Sequence, residues 1–141
     1  MLNTIVEASE NFCIHQIRKP HVLHDNVQTQ KTLIAYIDIC TQNGEKHRVY
    51  VGSDSNFMQR ISKLFLEEDE SDEETLIDMT LETANLIVGS AKVIAEESGI
   101  NTYTINTPHF EKHDVFDFAY DAIQYIKIDN DILFVAIKEL H

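Results

Sequence analysis

The sequence predicts an α+β protein in which long helices pack on a mainly antiparallel β-sheet. Residues 76–99 have the 3.6-residue periodicity of one long amphipathic helix. An Asn43-Gly44 pair between two apolar runs indicates a β-hairpin. The last third of the chain alternates apolar and polar residues, as strands do. The predicted order is helix, two strands, helix, long helix and about three strands, which favours the α+β class.

Length and charge limit the possible organisation and partners. The 141 residues predict one domain over residues 1–141. The net charge of −13 would repel nucleic acids and anionic membranes, so we expect neither as a partner. The chain has no apolar run long enough to cross a bilayer and no recognisable secretion signal, which predicts a cytoplasmic protein. Cys13 and Cys40 are expected to be free thiols, with a disulfide between them as the alternative.

The first helix is predicted to begin at a capping box formed by Thr4 and Glu7, and to end before Pro20. Its apolar residues recur at helical spacing: Ile5, Ala8, Phe12 and Ile17. Residues 21–31 are polar, so we expect a loop there.

A strand over residues 33–39 follows, apolar on both faces, and residues 48–51 are its predicted partner across the Asn43-Gly44 turn. Residues 53–55, Ser-Asp-Ser, offer caps for a short helix. Its apolar side chains are Phe57, Ile61, Leu64 and Phe65.

An acidic run over residues 67–74 leads into the long helix. Ser71 and Glu74 form a second capping-box pattern, and Gly99 is suited to a left-handed C-cap. The predicted core stripe is Ile77, Leu81, Ala84, Val88, Ala91 and Ala95, flanked by Thr80, Ile87 and Ile94.

The remaining residues predict strands. One covers residues 102–107, around Tyr103 and Ile105. Another contains the alternating Phe116, Phe118 and Tyr120, and it continues or restarts over residues 123–128 after a bulge or a turn near Asp121. Asp129-Asn130 predicts a turn into a final strand over residues 132–140, which supplies Leu133, Val135 and Ile137 to the core.

The outward face of the long helix is unusual. Glu82, Asn85 and Gly89 lie three and four residues apart, so they are neighbours on the helix surface. Apolar side chains run beside them at seven-residue spacing: Met79, Leu86 and Val93. This pattern is typical of a partner-docking surface with a polar centre. A helix packed on two sides, or a dimer contact, is the alternative interpretation.

Other chemistry has weaker support in the sequence. Two histidine pairs have possible metal spacing, His21-x-x-His24 and His109-x-x-x-His113 with Glu111 and Asp114 nearby, but surface histidines explain them better, so no metal site is expected. The chain has no Gly-rich phosphate loop, GxSxG elbow or HExxH motif. An exposed carboxamide can nevertheless orient a water for attack on phosphorus when the substrate supplies the rest of the site. A carboxylate nearby can pair with a partner's lysine.

Residues 82–92, ETANLIVGSAK, resemble the E-x-x-N-M-I-x-G-N-A-K helix of the CheX chemotaxis phosphatases, of the CheC/CheX/FliY superfamily. The departures are Leu86 for Met and Ser90 for Asn, and the order of elements agrees along nearly the whole chain. The first helix contains residues 7–11, EASEN, with the wrong spacing for a second motif, so one site is expected.

The resemblance implies hydrolysis of the aspartyl-phosphate of a CheY-like response regulator. In this interpretation Asn85 positions the attacking water and Glu82 anchors a lysine of the partner. Mg²⁺ would belong to the regulator, with no cofactor bound by this chain, and the protein would be a homodimer. The alternative is a non-catalytic receiver-binding or flagellar-switch adaptor of the same fold, like the middle domain of FliM.

Overall fold

The computed structural model describes residues 1–25, 29–99 and 102–141, and its fold is of the α+β class. The elements in chain order are α1 (Leu2–Phe12), a π turn (Cys13–Ile17), β1 (Val22–His24), β2 (Lys31–Thr41), β3 (Lys46–Ser53), α2 (Ser55–Leu66), α3 (Glu73–Glu97), β4 (Tyr103–Ile105), β5 (His109–Val115), β6 (Ala122–Ile128) and β7 (Asp131–Leu140). The predicted fold class, helices packed on a mainly antiparallel sheet, is confirmed.

The strands form one sheet in the order β1-β6-β7-β3-β2-β4, in which the pairs are antiparallel. β5 also pairs with β2, beside residues 31–36, whereas β4 pairs with residues 39–41. If β4 is set aside, the order is β1-β6-β7-β3-β2-β5. If β1, β2 and β3 change places with β5, β6 and β7, the order becomes β5-β2-β3-β7-β6-β1. This is the original order read from the opposite edge of the sheet. The two halves of the chain therefore occupy equivalent places in the sheet.

Both faces of the sheet are buried, and β2 shows this most clearly. One face of β2 contributes to the main core beneath the helices: Leu33, Ala35, Ile37 and Ile39. The other face contributes Ile34 and Tyr36 to a second, smaller core. The predicted strand that is apolar on both sides is thus confirmed, and its double burial explains why it lacks a polar face.

The segment between β5 and β6 covers the second face of the sheet. The Phe118 ring stacks on Tyr50, with centroids 5.3 Å apart, and the Phe116 ring lies 4.8 Å from that of Phe134. The prediction of a strand through residues 116–120 is therefore wrong. These residues form an irregular connection, and Phe116 and Phe118 in it pack on the sheet. The strand comes earlier, as β5 (His109–Val115). At Asp121 the chain bends before β6, so a turn and not a bulge accounts for the shift.

The loop predicted over residues 21–31 contains β1, which pairs with β6. Its partner is a hundred residues away in the chain, so local composition gives little sign of this short edge strand. Part of the predicted loop, residues 26–28, lies outside the described residues.

Both predicted capping boxes are wrong in position. α1 begins at Leu2, and the Thr4 hydroxyl donates to the Met1 carbonyl from within the first turn, at 2.9 Å. At the start of α3 the cap is Asp72, whose carboxylate accepts the Thr75 N–H at 2.9 Å. That hydrogen bond lowers the pKa of Asp72. Ser71 is unavailable as a cap because its buried hydroxyl bonds to Ser62 and Glu68.

Three other local predictions are confirmed, and one, on α2, is wrong. Gly44, with φ of 84°, closes the β2–β3 turn, and Gly99, with φ of 73°, follows the end of α3. The Asp54 carboxylate caps α2 by accepting the Phe57 N–H at 2.9 Å. Burial raises the pKa of Asp54 in spite of that bond. Leu64, predicted on the apolar face of α2, is instead 47% exposed.

Both cysteines are free thiols, so the disulfide alternative is not realised. Cys13 is buried at the start of the π turn, and burial, with a contribution from Glu10, raises its pKa to about 12. Cys40 is only partly buried. Within the described residues, no helix is both long and apolar enough to span a membrane.

Gly52 in β3 provides a test of the second core. A Cβ at this position would lie 2.3 Å from the Phe134 ring, which is itself buried, and 3.2 Å from the Leu33 carbonyl oxygen. We expect Gly52→Ala to lower the free energy of unfolding by about 1–3 kcal/mol, because the crowded ring cannot move freely. Urea unfolding measures the change, and a variant as stable as the wild type would contradict this packing.

Candidate functional site

The candidate site lies on the outer face of α3, and the inner face of that helix determines where it points. The buried residues of α3 are Leu76, Thr80, Thr83, Ala84, Ile87, Val88, Ala91 and Ala95. Most of the predicted stripe is among them, but Ile77, Leu81 and Ile94 are only partly buried. Compared with the predicted stripe, the observed buried face is rotated about the helix axis towards Leu76 and Thr83. This is because α2 packs on that flank, where Thr83 contacts Met58.

Hydrogen bonds hold α3 in this orientation. The Tyr103 hydroxyl donates to the Val88 carbonyl oxygen at 3.1 Å, one turn beyond Asn85. Burial raises the pKa of Tyr103, which keeps this hydroxyl protonated and able to donate. At the beginning of the helix, Glu73 bonds to His113 Nδ1 at 2.7 Å, and His113 Nε2 lies 3.3 Å from the Ser55 hydroxyl. These contacts connect α3 to β4, β5 and α2.

Glu82 and Asn85 are both exposed on the opposite face. Among residues 1–25, 29–99 and 102–141, neither side chain has a hydrogen-bond or ion-pair partner. They are three residues apart, which places them about 4.5 Å apart along the helix axis. A carboxylate and a carboxamide are thus held side by side with their polar atoms available to a partner.

The apolar residues predicted around this pair differ in exposure. Leu86 is 39% exposed and Val93 is 51% exposed, so both belong to the outer surface. Met79 is partly buried and packs against the main core. Gly89 is partly buried, yet a Cβ there would meet no atom within 4 Å. Internal packing therefore does not require glycine at this position.

The histidines of the two candidate metal pairs have other contacts. His21 bonds to Glu10 at 2.9 Å, and His24 stacks on Tyr125. His109 stacks on Tyr36, while His113 forms the bonds to Glu73 and Ser55 described above. Across the described part of the chain, no three His, Cys, Asp or Glu side chains are grouped to hold a metal ion.

A groove that the sequence does not predict lies beside the outer face of α3. It has a volume of about 140 Å³ and is lined by Ala8, Asn11, Phe12, His15, Gln16, Leu86 and Ser90. The π turn forms one wall, with the Arg18 N–H bonded to the Cys13 carbonyl at 2.8 Å. A π turn has no sequence signature, so only the polar residues 11, 15 and 16 at near-helical spacing could have indicated this wall.

A second cavity, of about 290 Å³, lies at the other end of α3. It is bounded by the start of α1, the β2–β3 turn, Ala95 and Tyr103. Ala95 is ten residues beyond Asn85, about 15 Å along the helix axis, so this cavity is separate from the candidate site.

The fold is that of the CheC/CheX/FliY chemotaxis proteins. A CheX protein from Vibrio vulnificus matches with a TM-score of 0.80 and 17% sequence identity, over 98% of this chain and 97% of that one. A CheC-like protein from Shewanella oneidensis also matches with a TM-score of 0.80, at 15% identity over 98% and 96% of the two chains.

A third similar structure is a CheX–CheY–BeF₃–Mg²⁺ complex from Borrelia burgdorferi. It matches with a TM-score of 0.72 and 13% identity, over 99% of this chain and 97% of that one. No protein-family model and no curated protein matches the sequence. At these identities the comparisons define the fold of the chain.

Gly89 allows a test of the site that needs no partner. Replacing a glycine in a helix interior with alanine removes an entropic cost of about 1 kcal/mol, and here the added Cβ enters open space. We therefore expect Gly89→Ala to raise the midpoint of thermal unfolding. Gly44→Ala is the matched control: its Cβ also meets nothing within 4 Å, but its φ of 84° strains alanine, so stability should fall. A loss of stability in Gly89→Ala would contradict the open surface.

Proposed function

We propose that this protein dephosphorylates a CheY-like response regulator in the cytoplasm, with Asn85 positioning the attacking water and Glu82 anchoring the partner. The observation that carries the proposal is an exposed carboxamide and carboxylate, three residues apart on a packed helix, that have no partner among the residues the structure describes. The CheX fold and the solved CheX–CheY complex support a CheY-like protein as the partner.

The position of the pair explains why a protein substrate is required. Asn85 and Glu82 lie on the exposed side of a helix, so the concave part of the reaction site must come from the partner. In the proposed complex, α3 lies over the phosphorylated site of the receiver and Asn85 enters it. Mg²⁺ is held by the receiver, and this chain binds no cofactor.

The side-chain amide is suited to the centre of the reaction. Hydrolysis forms a bond between the water oxygen and phosphorus and breaks the bond from phosphorus to the aspartyl oxygen. The products are a carboxylate and inorganic phosphate, which takes up a proton from the water. Asn85 orients the water without placing negative charge beside the phosphoryl group. A carboxylate in the same position would be repelled by that group.

Glu82 is therefore assigned to binding and not to contact with phosphorus. One turn from the amide, its carboxylate would pair with a lysine of the receiver and fix the direction of approach. Gly89, on the same strip of the helix surface, would let the receiver backbone come close. Met79, Leu86 and Val93 would supply apolar contact area around the pair. A homodimer is also part of the proposal and would be tested by sedimentation.

The first experiment follows the decay of a phosphorylated CheY-class receiver in Mg²⁺ with wild-type protein and with Asn85→Ala. We expect the variant to lose about 10²–10³ in kcat, as when other preorganised polar groups are removed. Asn56→Ala is the matched control, since Asn56 is an exposed asparagine on α2. Both variants should unfold at nearly the wild-type temperature.

Undiminished turnover by Asn85→Ala would contradict the role of the amide. Binding of a beryllofluoride-loaded receiver without any acceleration of dephosphorylation by the wild type would instead identify the non-catalytic adaptor.

The second experiment tests Glu82 through the effect of salt. Glu82→Ala should raise the KM for the phosphorylated receiver at about 0.05 M NaCl and have a smaller effect at about 0.5 M, where the wild-type attraction is screened. Glu97→Ala is the control, because it removes the same charge from an exposed position about 22 Å further along α3. A Glu82→Ala defect of equal size at both salt concentrations would exclude a charge pair.

A further inference from the structure

We propose that the groove between α1 and α3 is part of the receiver-binding surface, and that His15 and Gln16 contact the receiver there. This inference rests on the proposed function. It adds a second surface, on different elements, to the catalytic face of α3.

The size of a specific interface requires contacts beyond α3. A standard protein–protein interface buries about 800 Å² on each partner and involves about 20–30 residues a side. The outer face of α3 around Asn85 offers far fewer residues than that. A receiver centred on Asn85 must therefore also contact the elements beside the helix.

The groove is the open space beside this face. Leu86 and Ser90 belong both to the exposed side of α3 and to the groove lining, and Leu86 directly follows Asn85. Nearer the start of α3 the corresponding flank is closed, because Met58 of α2 contacts Thr83. The surface used by Asn85 thus continues on this flank over the π turn and α1.

The chemistry of the groove fits an anchor residue from a protein partner. Its apolar lining comes from Ala8, Phe12 and Leu86, and its polar groups come from Asn11, His15, Gln16 and Ser90. A volume of about 140 Å³ suits one aliphatic side chain of the receiver, surrounded by a polar rim. None of the described residues that line the groove is acidic, although the chain has 24 Asp and Glu residues, so this lining adds no repulsion towards a phosphorylated partner.

The π turn determines which side chains the wall presents. Cys13 and Ile17 are buried at its two ends, and the three residues between them are exposed. The turn extends α1 by one wider turn, which ends at Arg18 in the left-handed conformation. Here the turn places His15 and Gln16 on the groove.

The experiment measures kcat and KM on a panel of purified CheY-class receivers phosphorylated with acetyl phosphate, and continues with the receiver that the wild type dephosphorylates fastest. We expect the double variant His15→Ala/Gln16→Ala to raise KM about five-fold or more, the loss typical of contacts worth about 1 kcal/mol, while kcat stays within about two-fold. Ser90→Trp, which fills the groove, should raise KM at least as much. Gln42→Ala, an exposed glutamine in the β2–β3 turn, is the matched control and should leave both constants unchanged.

The outcomes distinguish a failure of the groove inference from a failure of the proposed function. If the wild type acts on no receiver and binds none loaded with beryllofluoride, the proposed function fails, and this inference fails with it. If the wild type is active and KM is unchanged in the double variant, the groove inference alone is wrong. A fall in kcat at constant KM would also overturn it. Should Ser90→Trp unfold, the double variant decides, with its thermal midpoint compared with that of Gln42→Ala.

Discussion

Burial of one face of α3 against the sheet determines both the core and the candidate site. Eight side chains of this helix are buried, and the Tyr103 hydroxyl holds the Val88 carbonyl from the sheet side. Rotation of the helix would expose apolar surface and break this bond, so the direction of the opposite face is fixed. Asn85 and Glu82 are consequently held in place without any hydrogen bond to their own side chains within the described residues. Rigid support of this kind lets an exposed polar group act at a defined position in a partner.

The second core explains why the candidate site lies on a helix and not on the sheet. Phe116 and Phe118 cover the face of the sheet that carries no helix, and Phe134 fills the space left open at Gly52. With both faces of its central strands buried, the sheet serves as a scaffold. On the helical side, Ile14 of the π turn and Leu86 and Val93 of α3 are among the large apolar side chains that stay exposed.

The sequence was most informative where local chemistry and tertiary packing agree. The face of α3 that carries Asn85, the Asn43-Gly44 turn and the doubly buried β2 all follow from periodicity or turn preference. β5 is not predicted, because its residues, HFEKHDV, are mostly polar and partly exposed. Its strand conformation is stabilised by pairing with β2, which local composition does not indicate. The helix caps lie one or a few residues from their predicted positions. At α3, Ser71 bonds to Ser62 and Glu68, so Asp72 caps the helix instead. The groove could not be predicted, since the π turn and α3 meet only in three dimensions.

The equivalence of the two halves in the sheet bears on where the chain can be cut and rejoined. Met1 lines the cavity beside the β2–β3 turn, and Leu140 pairs with Lys46 at the end of that same hairpin, so the two chain ends lie at one end of the sheet. The acidic connection between α2 and α3 is largely exposed. A circular permutant that opens this connection and links His141 to Met1 would begin with α3 and keep every strand beside its present neighbours. Such tolerance is expected where new termini fall in exposed polar segments. The fold would then be specified by pairing between two interlocking halves, whichever of them is synthesised first.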